Sequence, residues 1–120
     1  MALRVLIVDD NSNFLGAARD LLEREGVDVV GVATTGAEAV RLAAELRPDV
    51  TLVDIDLGEE SGFDVARALA DHGGDSRSPV VLVSTHAEKD FADLIASSPA
   101  VGFVSKADLS ARRIAEVLGH

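Results

Sequence analysis

The chain has 120 residues, no cysteine and 21 acidic against 11 basic residues, for a formal charge of −10; it is long enough for one core without disulfides, and its acidity opposes binding to a phosphate backbone. No apolar run approaches the roughly 18 residues of a membrane span, and no basic segment leads into an apolar stretch as in a secretion signal. These features predict one soluble, cytoplasmic domain over residues 1–120, with proteins as partners and neither nucleic acid nor membrane among them.

The first predicted strand, Val5 to Val8, ends in two adjacent carboxylates, Asp9 and Asp10. Like charges side by side raise each other's cost unless a cation or water screens them. Helical spacing follows at Leu15, Ala18 and Leu22, then a β-branched run from Val27 to Val32. The second helix repeats apolar residues at Ala39, Leu42, Ala43 and Leu46; Thr35 and Glu38 have capping-box spacing at its start, and Pro48 stops it. A third strand, Val50 to Val53, leads to Asp54. Ser61 and Asp64 again have capping-box spacing, ahead of a helix with Gly62, Val65, Ala66 and Leu69 on one face. The stretch "DHGGDSRSP" at 71–79 reads as a loop into the fourth strand, Val80 to Val83, which ends in Ser84 and Thr85. A short helix around Phe91, Leu94 and Ile95 precedes the fifth strand, Val101 to Val104, which ends in Ser105 and Lys106. The last helix carries Ala111, Ile114, Ala115 and Leu118.

Strands apolar on nearly every residue are buried on both faces, as in a parallel sheet with helices on either side, so the predicted fold class is α/β. Ligands of such sheets sit outside the carboxyl ends of the strands. Asp9, Asp10, Asp54, the Ser84 hydroxyl and the Lys106 ammonium converge there. Hard carboxylate oxygens suit Mg²⁺, which makes the Asp9–Asp10 pair tolerable and shares its shell readily with phosphate. A carboxylate beside that ion is a nucleophile towards phosphorus, with the ammonium and hydroxyl taking the equatorial oxygens; the product is an acyl phosphate on aspartate. Singly, each residue has a plainer use as a helix cap, a solvated carboxylate or a surface lysine. Together at the strand ends they point to a site.

From "RVLIVDDN" to "RRIAEVL" the chain resembles the receiver domain of two-component response regulators, with "VDD" at 8–10, "LVDIDLGEESGFD" at 52–64, "VVLVST" at 80–85 and "GFVSK" at 102–106 in the family's order. The resemblance implies a flavodoxin-like, doubly wound five-stranded sheet of order 2-1-3-4-5 with five helices. It also implies a role for each site residue. Asp54 is the phosphorylated aspartate. Asp10 is a direct Mg²⁺ ligand, Asp9 holds the ion largely through water, and the backbone carbonyl of Asp56 is the third protein ligand. Lys106 pairs with the phosphoryl oxygens, Ser84 moves to hydrogen-bond one of them, and Phe103 turns inward when Ser84 moves. The plain alternative for Phe103 is a core side chain. The implied partners are a sensor histidine kinase or phosphotransfer protein and a downstream protein target, and the implied chemistry is limited to the domain's own phosphorylation and dephosphorylation.

Three positions depart from the family pattern. Gly58 stands where Pro is usual, which predicts a looser loop; Ala107 follows Lys106 where Pro is common, so a cis bond is not assumed; and Thr85 replaces a small residue, which predicts narrower access to Asp54. Two other classes fit parts of the chain. "VDIDLG" is similar to the DxD opening of haloacid-dehalogenase-type phosphatases, but those place it on the first strand. A pseudo-receiver would bind partners without phosphorylation, yet such modules lack one of the acids or the lysine. The end at His120, with no helix-turn-helix segment, fits either a stand-alone receiver or a piece of a longer regulator; Gly119 and His120 do not read as the opening of a linker and favour the first, and the face of the fourth helix, fifth strand and fifth helix, near Arg112 and Arg113, is the implied output surface.

Overall fold

The computed structural model describes residues 2–72 and 79–119. The chain alternates from its start: β1 (Arg4–Val8), α1 (Ser12–Arg24), β2 (Asp28–Ala33), α2 (Gly36–Leu46), β3 (Val50–Asp54), a hairpin of β4 (Asp56–Leu57) and β5 (Glu60–Ser61), α3 (Gly62–His72), β6 (Val80–Ser84), α4 (Ala92–Ser97), β7 (Gly102–Ser105) and α5 (Ala111–Leu118). Short 3-10 turns at Glu88–Phe91 and Lys106–Asp108 lead towards α4 and α5. Of the loop expected at 71–79, Asp71 and His72 end α3 and residues 73–78 lie outside the described residues.

Five strands pair in parallel in the order β2-β1-β3-β6-β7, which is 2-1-3-4-5 when the strands of this sheet alone are counted. The fold is α/β, doubly wound and flavodoxin-like. Side-chain alternation makes the two faces: Val5 and Ile7 point into one core, Leu6 and Val8 into the other, and the split repeats at Leu52 against Val53 and Val81 against Leu82. Leu15, Ala18 and Leu22 of α1 and Ile114 of α5 close the first core; Ala39 of α2 and Val65, Ala66 and Leu69 of α3 close the second. β3 and β6 are buried along their whole length, whereas β2, at the sheet edge, buries only Val29 and Ala33. Leu6, Ile7, Leu52 and Leu82 are fully buried, each worth about 1.5–3 kcal/mol. That packing holds the strand ends, and the polar residues on them, in fixed register.

The helix starts refine the sequence reading. Thr35 caps α2 by accepting the Glu38 N–H, but Glu38 reaches back to the N–H of Thr34, one residue before the cap. Ser61 accepts the Phe63 N–H, while Asp64 turns away to Arg67 at 2.9 Å, so no reciprocal box forms there. α2 stops at Leu46 because Arg47 adopts a left-handed conformation, φ 47°, ahead of Pro48. Among the described residues no helix is long and apolar enough to cross a membrane.

Candidate functional site

Strand register builds the site. Asp54 closes β3 opposite Val83, so Ser84 lies one residue beyond it on β6; Ser84 in turn faces Ser105 on β7, and Lys106 follows. Asp9 extends β1 by donating its N–H to the Ala33 carbonyl at 3.0 Å. Asp9, Asp54 and Ser84 are buried, while Asp10 and Asp56 are exposed. One carboxylate oxygen each from Asp9, Asp10 and Asp54 lie within 4.8 Å of one another.

Asp9 is 0% exposed, and a fully buried carboxylate must be paired. Its Oδ1 accepts the Asn11 N–H at 2.8 Å. Its Oδ2 accepts no hydrogen bond among the described residues, and its compensation is an ion pair with Lys106 Nζ at 2.6 Å that lacks hydrogen-bond geometry. A buried carboxylate oxygen without a hydrogen bond, within a set of three hard oxygen donors, fits a divalent cation such as Mg²⁺.

The Asp54 carboxylate accepts two hydrogen bonds among the described residues: Oδ1 from the Asp56 N–H at 3.3 Å, and Oδ2 from Lys106 Nζ at 3.4 Å. Burial, and next the charge of Asp9, push its carboxyl from 3.8 up to about 6, against the opposing pull of Lys106 and the Asp56 N–H. A carboxylate that is costly to ionise is a more basic nucleophile.

Lys106 is therefore shared between two acids, and its side chain is only 13% exposed. Its ammonium also stands 4.2 Å from the centroid of the Phe14 ring. Ser84 Oγ accepts the His86 N–H at 3.0 Å and lies 3.5 Å from His86 Nδ1. The His86 ring meets Phe91 edge-on at 5.9 Å, and Phe91 packs on Phe63 at 6.3 Å. Phe103 is already inside, in the core cluster that holds Leu57 and Leu82. Thr85 is exposed beside Ser84.

The departures from the family pattern have structural answers. The loop after Asp54 carries Gly58 at φ +68°, a conformation closed to proline, and pairs Asp56 with Ser61 and Leu57 with Glu60 as a hairpin. A Cβ on Gly58 would stand 3.0 Å from Asp10 Oδ2. Glu60 fastens the hairpin to α2 by accepting the Gly36 N–H at 3.0 Å. Among the described residues no peptide bond is cis, Lys106–Ala107 included.

Several residues around the site escape sequence reasoning. Asn11 caps α1 by accepting the Asn13 and Phe14 N–H groups, and an Asn just ahead of helical spacing is a signal for that role. Gly62, which the sequence places on an apolar helix face, is there because a Cβ would collide with the Asp54 carbonyl oxygen; its N–H donates to Ile55 at 2.7 Å. The contact of Phe14 with Lys106 depends on tertiary placement and leaves no local pattern, whereas His86 reaches Ser84 from only two residues away.

Comparison with known proteins agrees with this geometry. The family model for the response regulator receiver domain matches residues 5–118. The polar-differentiation response regulator DivK of Brucella anthropi is 36% identical over 88% of this chain and 85% of its own length. Two other curated relatives are longer, and the chain spans 49% and 30% of them. Among solved structures, the signal receiver domain of NarL from Mycobacterium tuberculosis superposes with a TM-score of 0.83 at 27% identity, covering 99% of this chain and 98% of that one. A response regulator from Burkholderia pseudomallei, described with a phosphorylated aspartic acid, a calcium ion and citrate, gives a TM-score of 0.80 at 25% identity over 96% of this chain and 66% of that one. With its sheet order, its acidic strand ends and its match along residues 5–118, the chain belongs to the response regulator receiver domain family.

Proposed function

We propose that Asp54 accepts a phosphoryl group from the phosphohistidine of a sensor histidine kinase or phosphotransfer protein, and that the modified domain, acting in the cytoplasm as one unit, presents a changed surface to a downstream protein. The observation that carries this reading is the Lys106 ammonium, within ion-pair reach of both Asp9 and Asp54, beside three clustered carboxylates. The phosphorylated aspartic acid of the Burkholderia pseudomallei relative supports the same chemistry.

An Asp54 oxygen attacks phosphorus, the P–N bond to the imidazole breaks, and its electron pair leaves with the nitrogen. Lys106, which donates to Asp54 Oδ2 at 3.4 Å, then moves to the phosphoryl oxygens. Ser84 already accepts the His86 N–H, so its own hydrogen is the one it donates to a phosphoryl oxygen. Phe103 answers that shift from its buried position on β7. Asp9, Asp10, Asp54 and the Asp56 backbone carbonyl would hold Mg²⁺, which when bound offsets negative charge on the phosphoryl group. Coupling to the output surface requires contacts that differ between the two states, and Ser84 and Lys106 are the groups that can supply them.

The phosphatase reading, with Asp54 as nucleophile and Asp56 as acid, has less behind it: Asp56 is exposed, and the acidic cluster joins Asp54 to Asp9 and Asp10 instead. The test is labelling with acetyl phosphate and Mg²⁺. One hydroxylamine-labile phosphoryl group per chain is expected, absent from Asp54→Asn; stoichiometric labelling of that variant would refute the assignment. Ser84→Ala and Lys106→Ala should still bind Mg²⁺ but show much smaller phosphorylation-dependent NMR shifts at Phe103 and α4.

A further inference from the structure

The Lys106 ammonium lies within ion-pair reach of two acids, Asp9 at 2.6 Å and Asp54 at 3.4 Å. The ammonium also faces the Phe14 ring, 4.2 Å from its centroid. A cation at that distance is held by the negative face of the ring, more strongly where water is excluded, and the Lys106 side chain is 13% exposed. The ring is itself fixed by the site: Asp9 Oδ1 holds the Asn11 N–H, and the Asn11 side chain accepts the Phe14 N–H at 3.2 Å, so one chain of hydrogen bonds runs from the buried acid to the helix turn bearing the ring. Phe14 is half-buried and packs against the core between the sheet and α1.

We propose that Phe14 is a positioning residue for Lys106, its ring face forming the third wall of a cage that keeps the ammonium beside Asp54. The proposal rests on the phosphoacceptor reading for its consequence but not for its geometry. Without the ring, the two acids are what holds the ammonium among the described residues. Its shorter contact is to Asp9, at 2.6 Å against 3.4 Å, so its time beside Asp54 falls. An aliphatic side chain of similar size fills the same space without the attraction, so packing and cage are separable.

Two readouts test this. In protein without added metal, the Lys106 side-chain CH₂ protons next to the ammonium should be shifted upfield by the ring; Phe14→Leu should abolish that shift and Phe14→Trp should retain it. In acetyl-phosphate labelling, Phe14→Leu should slow the reaction about three- to tenfold, Phe14→Trp should restore it to within about twofold, and Phe14→Leu should have no further effect in a Lys106→Ala background. An unshifted Lys106 in the wild type, or an equal loss in the Lys106→Ala background, overturns the cage. If wild-type protein takes no label, the phosphoacceptor reading fails, and the Lys106 shift still decides whether the ring holds the ammonium.

Discussion

Helices α4 and α5 belong to the two cores on opposite faces of β7, Ile95 of α4 to the one that holds Phe103 and Ile114 of α5 to the one that holds Val104, yet they are held very differently. α5 buries Ile114, is capped by the Ser110 hydroxyl, and has its Ala111 N–H tied to Glu25 Oε1 at 2.7 Å. α4 is six residues long, buries no side chain completely, has no side-chain cap and leaves Leu94 52% exposed. Few buried contacts and unsupported backbone mark the segments that open most easily. The contrast separates a tightly held side, entered just after Lys106, from a yielding side that follows Ser84 and His86. If Asp54 takes the phosphoryl group as proposed, the resulting change meets least resistance in the direction of α4.

The largest expected contrast is in stability. Ile114→Ala should cost about 2–5 kcal/mol, and Ile95→Ala, on a half-buried position of α4, about 1 kcal/mol or less, by chemical denaturation. Equal losses would erase the distinction between the two helices.

Next is the charge at the site. Burial and Asp9 push the Asp54 carboxyl from 3.8 up to about 6, so between those values the folded chain binds more protons than the unfolded one. Stability contributed by this group therefore falls as pH rises from about 4 to 6, and the full cost is present at pH 7. In chelated protein, Asp54→Asn should gain about 1–3 kcal/mol at pH 7 and nothing below about pH 4. Mg²⁺ should lower the midpoint of the Asp54 carboxyl titration by NMR, since a bound cation favours the ionised form.

Much of this could be read from the residues alone. Val50 to Val53 and Val80 to Val83 are unbroken β-branched and leucine runs because both faces of β3 and β6 are covered, and that continuity shows in one dimension. The acids, the hydroxyl and the lysine are legible because each follows directly on a strand. The β4–β5 hairpin was not, since two-residue strands are shorter than any periodicity. The Thr35 and Ser61 boxes were half right because spacing gives the reach of a side chain but not the direction it takes. The Phe14–Lys106 contact joins the first turn of α1 to the end of β7 and exists only once the sheet has formed.

A smaller effect sharpens the comparison on the α5 side. Ser110→Ala should cost about 0.5–2 kcal/mol, since it removes the acceptor for the Arg113 N–H. Smaller still are the effects on rate at the mouth of the site. Asp56 is exposed two residues past Asp54, and its charge opposes an incoming dianionic donor; Asp56→Asn should raise the acetyl-phosphate rate about two- to tenfold at low salt and less at high salt. Thr85→Ala should add a gain independent of salt. An unchanged rate for Asp56→Asn at low ionic strength means that solvent screens the Asp56 carboxylate completely.

The most direct measurement compares amide NMR spectra of the protein with Mg²⁺ alone and with Mg²⁺ and acetyl phosphate. A single phosphorylated species should appear, with the largest shifts from Ser84 through Ser97, smaller ones around Phe103 and Lys106, and nearly none at Leu15, Leu22 and Ile114. No phosphorylated species would contradict the role of Asp54, and shifts as large at Leu22 and Ile114 as along α4 would contradict the division into a fixed and a yielding side.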